Sequence, residues 1–293
     1  MNLEWRVLNI EKQNGFFNTA LDNTILKEVS EGNSPPTLLF TEWKPTVSLG
    51  RNQSYRLDVD EESCKRYGVD IVRRKSGGQA VFLDEGYFVF STITPKGILS
   101  NDLSHLRKFF CDISIDTLNE LGVPASFHEP DNIIVEKPYK RTLGNSGQII
   151  RRGGLIAHGS VRYKLINLVM MLDVLKVNGY KLQAYEEEIK RVITDAYTYN
   201  PDIKKDHIKN VFLSKFSEMC GGTLFNGTLT ADEKRKLNFF IEEERKKEWL
   251  MGEENYPAKG VCYFFLDGNN LVPSLQNILP YNKPSTITDS TIN

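Results

Sequence analysis

Neither the charge, the thiols nor the hydropathy of this chain points to a polyanion, a metal cluster or a bilayer. Lysine plus arginine (37) and aspartate plus glutamate (38) nearly cancel, and the net charge of −1 supplies no overall field for non-specific nucleic-acid binding. The four cysteines, Cys64, Cys111, Cys220 and Cys262, lie far apart with no C-x-x-C pair. That spacing argues against a zinc site and a disulfide framework, and marks them as reduced thiols. No run of roughly 18 apolar residues occurs, and Met1–Arg6 has no apolar signal core, so a cytoplasmic protein without a membrane partner is expected. Internal repeats are missing as well.

What is present is enough apolar material for a sizeable core: 40% of 293 residues. Phe16, Phe17, Ala20, Leu21, Ile25, Leu26 and Val29 recur at spacings of three and four, which predicts an amphipathic helix over 15–31. Strands are predicted at Thr37–Phe40, Pro45–Gly50 and Ile71–Arg74. Ala80–Leu83 and Phe88–Ile93 are expected to continue that sheet around the turn at Asp84–Gly86. A second helix is predicted over 103–121, closed by Gly122, and a strand at Asn132–Val135. Thr230–Glu233 reads as a capping box that opens a helix running towards Trp249, with Glu242–Glu248 as its solvated face. Beyond Gly252 the sequence suggests a hairpin over 261–272 and a mobile, Ser/Thr/Asn-rich end.

The richest stretch is Arg73-Arg74-Lys75-Ser76-Gly77-Gly78-Gln79-Ala80-Val81-Phe82, which sets three cations beside a glycine pair and then turns apolar. Glycines let main-chain N–H groups crowd a phosphate or carboxylate, and arginines fork onto the same oxygens. A second glycine-rich, basic segment runs from Lys140 to Gly154 and leads into Leu155–Val161. Read as two loops, they form two walls of one pocket. Neither basic cluster interleaves with aromatics, so nucleic acid is not expected as a partner.

Taken in order, these segments resemble the lipoate-protein ligase family, within a wider group that includes octanoyltransferases and biotin-protein ligases. The resemblance rests on Asn18-Thr19-Ala20-Leu21-Asp22, Pro45–Gln53, the Arg-Arg-x-Ser-Gly-Gly loop with Ala80-Val81-Phe82 behind it, Asp131-Asn132, Gly144-Asn145-Ser146 and His158-Gly159. It implies an α+β fold, a mixed sheet flanked by helices, as a catalytic domain over 1–253. Residues 254–293 would be a truncated accessory-like hairpin and tail. It implies activation of lipoate or octanoate by ATP and Mg²⁺ to an acyl-adenylate, then transfer to a lysine of a lipoyl-carrier domain. Such carriers are the acyltransferase subunit of 2-oxoacid dehydrogenases and the glycine cleavage H protein, and a separate accessory protein would complete the shortened C-terminal part.

On this reading Arg73, Arg74 and Lys75 offset the charge that builds on the α-phosphate. The backbone from Gln79 to Phe82 lines the adenylate, Val81, Phe82 and Val89 hold the acyl chain, and His158 serves mainly as pocket wall. No metal ligand set is assigned. The family's lysine ahead of the second glycine loop is not matched in a single way. Counting from Gly144-Asn145-Ser146 gives Arg141, counting back from His158-Gly159 gives Thr142, and Lys140 requires a further slip. Gln79 stands where a third glycine is usual, Leu83 where a histidine is usual, and Ser126-Phe127 where some transferases carry Cys-Phe. Three activities therefore stay open: an ATP-dependent ligase using Lys140 or Arg141, an octanoyltransferase without ATP, and a non-catalytic homologue that binds lipoyl groups or carriers.

Overall fold

The computed structural model describes residues 3–252 except 101, 130–131, 137–140, 152 and 178; for 103, 141, 142 and 145–151 it describes the backbone alone. The chain opens with β1 (Glu4–Gln13), α1 (Gly15–Ser30), β2 (Thr37–Trp43), β3 (Thr46–Leu49), α2 (Tyr55–Asp58) and α3 (Glu61–Tyr67). It continues through β4 (Asp70–Arg73), β5 (Val81–Leu83), β6 (Tyr87–Pro95), α4 (Leu103–Glu120), β7 (Ala125–His128) and β8 (Asn132–Val135). Then come β9 (Arg141–Arg151), β10 (Gly154–Arg162), α5 (Leu168–Val174), β11 (Lys176–Val177), β12 (Tyr180–Lys181) and α6 (Glu186–Val192). The last elements are α7 (Lys205–Cys220), β13 (Thr223–Asn226), α8 (Ala231–Glu244) and α9 (Lys247–Met251).

The main sheet has the order β13-β1-β2-β6-β10-β9-β8-β7, with β1 parallel to both its neighbours and the remaining pairs antiparallel. Alternation along β6 shows why it is sandwiched. Phe88 and Phe90 pack with Phe110, Phe212 and Phe216 of α4 and α7, while Ile93 packs with Leu21 and Ile25 of α1 on the opposite face. The first face is a mesh of rings, Phe90 and Phe212 having centroids 4.4 Å apart, and it gives the site a stiff back wall. A smaller sheet, β4-β3-β5, stands beside the main one and rests on Met171, Leu172 and Val174 of α5.

The helix signals hold. Asn14 caps α1 by accepting from Phe17 N–H, and Thr230 and Glu233 form the expected reciprocal capping box of α8. Three expectations change. Ala80–Leu83 and Phe88–Ile93 enter different sheets, because Gly86 passes so close to the Lys164 carbonyl that a Cβ would lie 2.2 Å from it and the chain is diverted there. The second glycine-rich segment is no loop but β9, paired on both sides by β8 and β10. The charged helix towards Trp249 breaks at residues 245–246 into α8 and α9. The hairpin and tail expected beyond residue 252, Cys262 included, lie outside the described residues. Among the described residues no helix is long and apolar enough to cross a membrane.

One buried ion pair fixes α8 against the sheet edge. Arg6 of β1 forks onto Glu233, at 3.0 and 2.6 Å, and also donates to Thr37 Oγ1. Burial pushes the Glu233 carboxyl up, but donors from Arg6, Thr230 and Ser34 outweigh it and hold the group ionised below its ordinary value. Glu233→Ala strands the Arg6 guanidinium and removes the cap at once; we expect a loss of about 3–5 kcal/mol in urea unfolding, against which a loss below about 1 kcal/mol would show α8 to be held by other contacts.

Candidate active site

β4 ends in Arg73, and the chain then loops over the end of β3 before returning as β5. Two main-chain bonds seat this loop: Arg74 N–H donates to the Leu49 carbonyl and Arg51 N–H to the Ser76 carbonyl, both at 2.9 Å. The approach demands glycine, since a Cβ on Gly50 would stand 1.9 Å from the Gly78 carbonyl oxygen, and Gly78 itself has φ +88°. Gly77 is different: nothing lies within 4 Å of where its Cβ would be, so its main chain faces open space.

The two arginines expected to grip an anion are spent on the backbone. Arg73 is 1% exposed, and its guanidinium donates to the carbonyls of Gly50, Arg51 and Gln53 on one side and of Leu250 and Met251 on the other. Burial lowers its pKa, and its nearest compensation is the charge of Asp58. Arg73 is thus a clasp between the turn after β3 and α9, not an anion ligand. Arg74 donates to the carbonyls of Ser48, Gly77 and Gln79 and braces the glycine loop from within. Lys75 borders, with Arg51, Asn52, Arg73, Glu244, Lys246 and Trp249, a cleft of about 820 Å³, and burial lowers its pKa against the pull of Glu244 and Glu243.

Gln79 turns aside: its Oε1 accepts from Gln53 Nε2 at 3.2 Å. Strand alternation splits the expected apolar wall. Val81 and Val89 pack with Trp43, Leu83 and Tyr87, whereas Ala80 and Phe82 point to the opposite face of β5 and are buried among Val47, Leu49 and Leu172. Leu83, which replaces the expected histidine, belongs to the wall.

The loop's Ser76 is tied to β10, its Oγ lying 2.8 Å from His158 Nε2. Burial, with the charge of Arg74 behind it, drops the His158 pKa to about 3, so the ring is neutral and can accept the serine proton. Its Nδ1 is 3.9 Å from Asp22 Oδ2 of α1. Burial raises Asp22 to about 7, with a hydrogen bond from Ser91 opposing and the Glu244 charge adding. Asp22 and His158 keep 21% and 20% of their side-chain surface accessible. Sequence reading quoted Asp22 in a motif but gave it no role; its only signal was a carboxylate amid an apolar helical stripe.

Glu244 was missed outright. The run Glu242–Glu248 is not a uniformly solvated face, because Glu244 is 1% exposed and accepts from Asn23 Nδ2 and Trp249 Nε1. Burial raises it to about 7.

In β9, Gly144 serves a strand crossing, not an anion: a Cβ there would lie 2.3 Å from the Ser160 carbonyl. Ser146 pairs with Gly159 and Asn145 with Ser160, while Thr142 and Arg141 pair with Ile134 and Val135 across a bulge. Asn132 is buried, and its Nδ2 finds no partner among the described residues. Asp131 and Lys140 lie outside them.

Phosphate fits these residues: an open Gly77 main chain next to a partly desolvated Lys75 is an anion cradle. Among the described residues no group of three His, Cys, Asp or Glu is placed to hold a metal.

Two predictions follow from the electrostatics. Arg73→Lys replaces a fork that satisfies five carbonyls by a single ammonium, and should cost about 3–5 kcal/mol in urea unfolding; an unchanged midpoint would rule out the clasp. Glu244 holds its proton in the native state up to about pH 7 but ionises in the unfolded chain near 4.5, so its contribution to stability falls as pH rises through that window and levels off above it. Between pH 5 and 8 the natural chain should therefore lose about 1–3 kcal/mol more than Glu244→Gln, and equal slopes would contradict the assignment.

The chain matches the lipoyl protein ligase A/B catalytic domain over residues 14–217. Octanoyltransferase LipM of Moorella thermoacetica is 43% identical to it over 281 residues, covering 84% of this chain and 97% of the relative. The structure of a bi-partite lipoate protein ligase of Thermoplasma acidophilum, studied with its E2 lipoyl domain, superposes with a TM-score of 0.77 at 22% identity over 85% of this chain and 97% of that one. A lipoate-protein ligase A bound with ATP gives a TM-score of 0.72 at 22% identity over 85% and 99%. With motif order, α+β fold and matched span in agreement, this chain belongs to the lipoyl protein ligase A/B catalytic domain family, a family of acyl-transfer enzymes.

Proposed function

We propose that this protein is an ATP-dependent ligase that joins lipoate or octanoate to a lysine of a lipoyl-carrier domain. The observation that carries this choice is the state of the thiols. Cys64 and Cys111 are buried, and burial pushes the Cys64 and Cys220 thiols up to about 12, so neither of those two supplies a thiolate at neutral pH. Ser126, in the position of a transferase cysteine, has a buried hydroxyl with no partner among the described residues, hence no base to activate it. With no activated nucleophile among these described residues to carry the acyl group, we assign activation to a nucleotide.

When bound, ATP would supply an α-phosphate that the acyl carboxylate takes up as pyrophosphate departs, which gives the acyl group AMP as its leaving group. The chain's residues do the rest. Gly77 and Gly78 offer main-chain N–H groups, Lys75 and Arg51 offset phosphate charge, and Val81, Leu83, Val89 and Trp43 exclude water from the acyl chain. Arg141 or Lys140 takes the part of the family's lysine, and Asn132, whose Nδ2 has no partner among the described residues, offers an amide donor. The carrier is the acyltransferase subunit of a 2-oxoacid dehydrogenase or a glycine cleavage H protein.

The relative named octanoyltransferase favours a second reading, acyl transfer from one carrier to another without ATP. Pyrophosphate exchange dependent on lipoate or octanoate, with ATP and Mg²⁺, separates the two. The ligase is expected to exchange, and Arg141→Ala or Lys140→Ala to reduce exchange by about 10²-fold, whichever of them replaces the lysine. Acyl binding without exchange, together with transfer from an octanoyl carrier, would replace the ligase by the transferase.

A further inference from the structure

The adenylating half of the proposed reaction expels pyrophosphate, and two of the three cations at the glycine loop are committed elsewhere. Arg73 and Arg74 are spent on carbonyls, whereas Lys75 makes no hydrogen bond or ion pair among the described residues and rests over the Phe240 ring, 5.2 Å from its centre. We infer that the cleft between the glycine loop and helices α8 and α9 is an oligophosphate site, in which Arg51 and Lys75 take the β- and γ-phosphates of the nucleotide and hold them as pyrophosphate after cleavage; this rests on the ligase reading above.

Main-chain bonds set the two cations side by side. Arg51 N–H donates to the carbonyl of Ser76, the residue after Lys75, at 2.9 Å, and the Arg51 carbonyl accepts from the Arg73 guanidinium at 3.0 Å. Arg51 is thus pinned through its backbone alone, and its exposed side chain has no partner among the described residues. Both residues border the cleft of about 820 Å³, with Asn52 beside them as a further amide donor. Like charges on one wall oppose each other, and the Arg51 charge adds to the burial that lowers the Lys75 pKa. A polyanion between them reverses that penalty, because each of its oxygens accepts from a cation that has no other acceptor to leave.

Carboxylates line the cleft as well, but most of them are committed. Glu243 pairs with Lys246, while Glu244 is buried, accepts from Asn23 and Trp249, and keeps its proton up to about pH 7. Glu248 is left exposed on the rim. Arg73 also borders the cleft, its charge spread over carbonyl dipoles rather than held by an ion pair. The uncommitted charge is therefore positive. The volume lies in the range of small-molecule sites, more than one acidic side chain of a protein partner would fill.

The chemistry calls for positive charge at this place. As an acyl carboxylate oxygen bonds to the α-phosphorus, the bond from that phosphorus to the bridging oxygen breaks and its electron pair leaves on pyrophosphate; no proton moves. Charge grows on the departing group, where Arg51 and Lys75 meet it.

The test is calorimetric titration of inorganic pyrophosphate into the full chain, Arg51→Ala, Arg51→Lys and Glu248→Lys, followed by pyrophosphate exchange with ATP, Mg²⁺ and octanoate. Arg51→Ala is expected to weaken binding about 10- to 30-fold and Arg51→Lys to recover part of the loss. Glu248→Lys, which turns the rim carboxylate into a cation, should tighten binding about 3-fold, a gain that misfolding does not produce. In exchange, Arg51→Ala should raise the KM for pyrophosphate about 10-fold and hold the KM for octanoate within about 2-fold. Absence of pyrophosphate binding by the natural chain, or equal affinity in Arg51→Ala, would overturn the site. So would a loss in Arg51→Ala confined to carrier-domain binding, which gives the cleft to an acidic protein surface. Binding of pyrophosphate through Arg51 without any exchange upholds the oligophosphate site and fails the ligase reading separately.

Discussion

The pocket depends on a buried cation that touches no carboxylate. Arg73 is satisfied by the carbonyls of Gly50, Arg51, Gln53, Leu250 and Met251, which replace the water it lost and spread its charge over five dipoles. Such an arrangement is stable only if both carbonyl groups are delivered together, one by the turn after β3 and one by α9. The indole of Trp249 closes the same link by donating to the Arg73 carbonyl at 3.0 Å. Consequently the glycine loop, which begins one residue after Arg73, cannot change its base without disturbing the end of the described chain. The site is assembled from segments nearly 180 residues apart because one guanidinium needs both.

Much of this was legible in the sequence where periodicity or cap chemistry acts locally. The stripe of α1, the length of α4, the capping box of α8 and the alternation of β6 all follow from residue spacing. β9 was not legible, because Gly144, Asn145, Ser146 and Gly147 have turn composition; only the flanking β8 and β10, and the close approach of Gly144 to Ser160, make them extended. In the site, the glycine loop announced itself, but the division of labour among Arg73, Arg74 and Lys75 did not. Consecutive residues point in different directions, and which direction holds carbonyls and which holds a cleft is decided by β3 and α9, far off in sequence. Phe82 and Val81 parted for the same reason. Asp22 and Glu244 went unassigned because a carboxylate in a helix reads as surface until a partner helix covers it.

Burial acts in one direction on nearly every ionisable group around the loop. It raises Asp22 and Glu244 to about 7 and Asp58 to about 6, lowers His158 to about 3, and lowers Arg73 and Lys75. Each group is pushed towards its neutral form, the signature of a low-dielectric enclosure rather than of ion pairing. In such surroundings a charge brought in from outside interacts far more strongly than it would in water. An anionic substrate would draw Lys75 back to full charge, and an ammonium would draw the proton off Asp22 or Glu244. Asp22 and Glu244 thus titrate near neutrality while His158 stays uncharged there, a balance between neutral and charged forms.

That balance bears on why the pocket can work without a thiolate. A cysteine nucleophile stores activation in a covalent bond and needs a cationic, partly open setting to keep its sulfur ionised. Burial here does the reverse, pushing the Cys64 and Cys220 thiols up to about 12. The same dryness that would disable a thiolate protects a reactive acyl ester from water and sharpens each electrostatic contact made to it. The apolar cluster of Trp43, Val81, Leu83, Tyr87 and Val89, together with acids that burial drives towards their neutral form, suits a reaction that imports its activating charge with the substrate. In that arrangement the protein's task is to hold the carbonyl chain still, and Arg73 is what holds it.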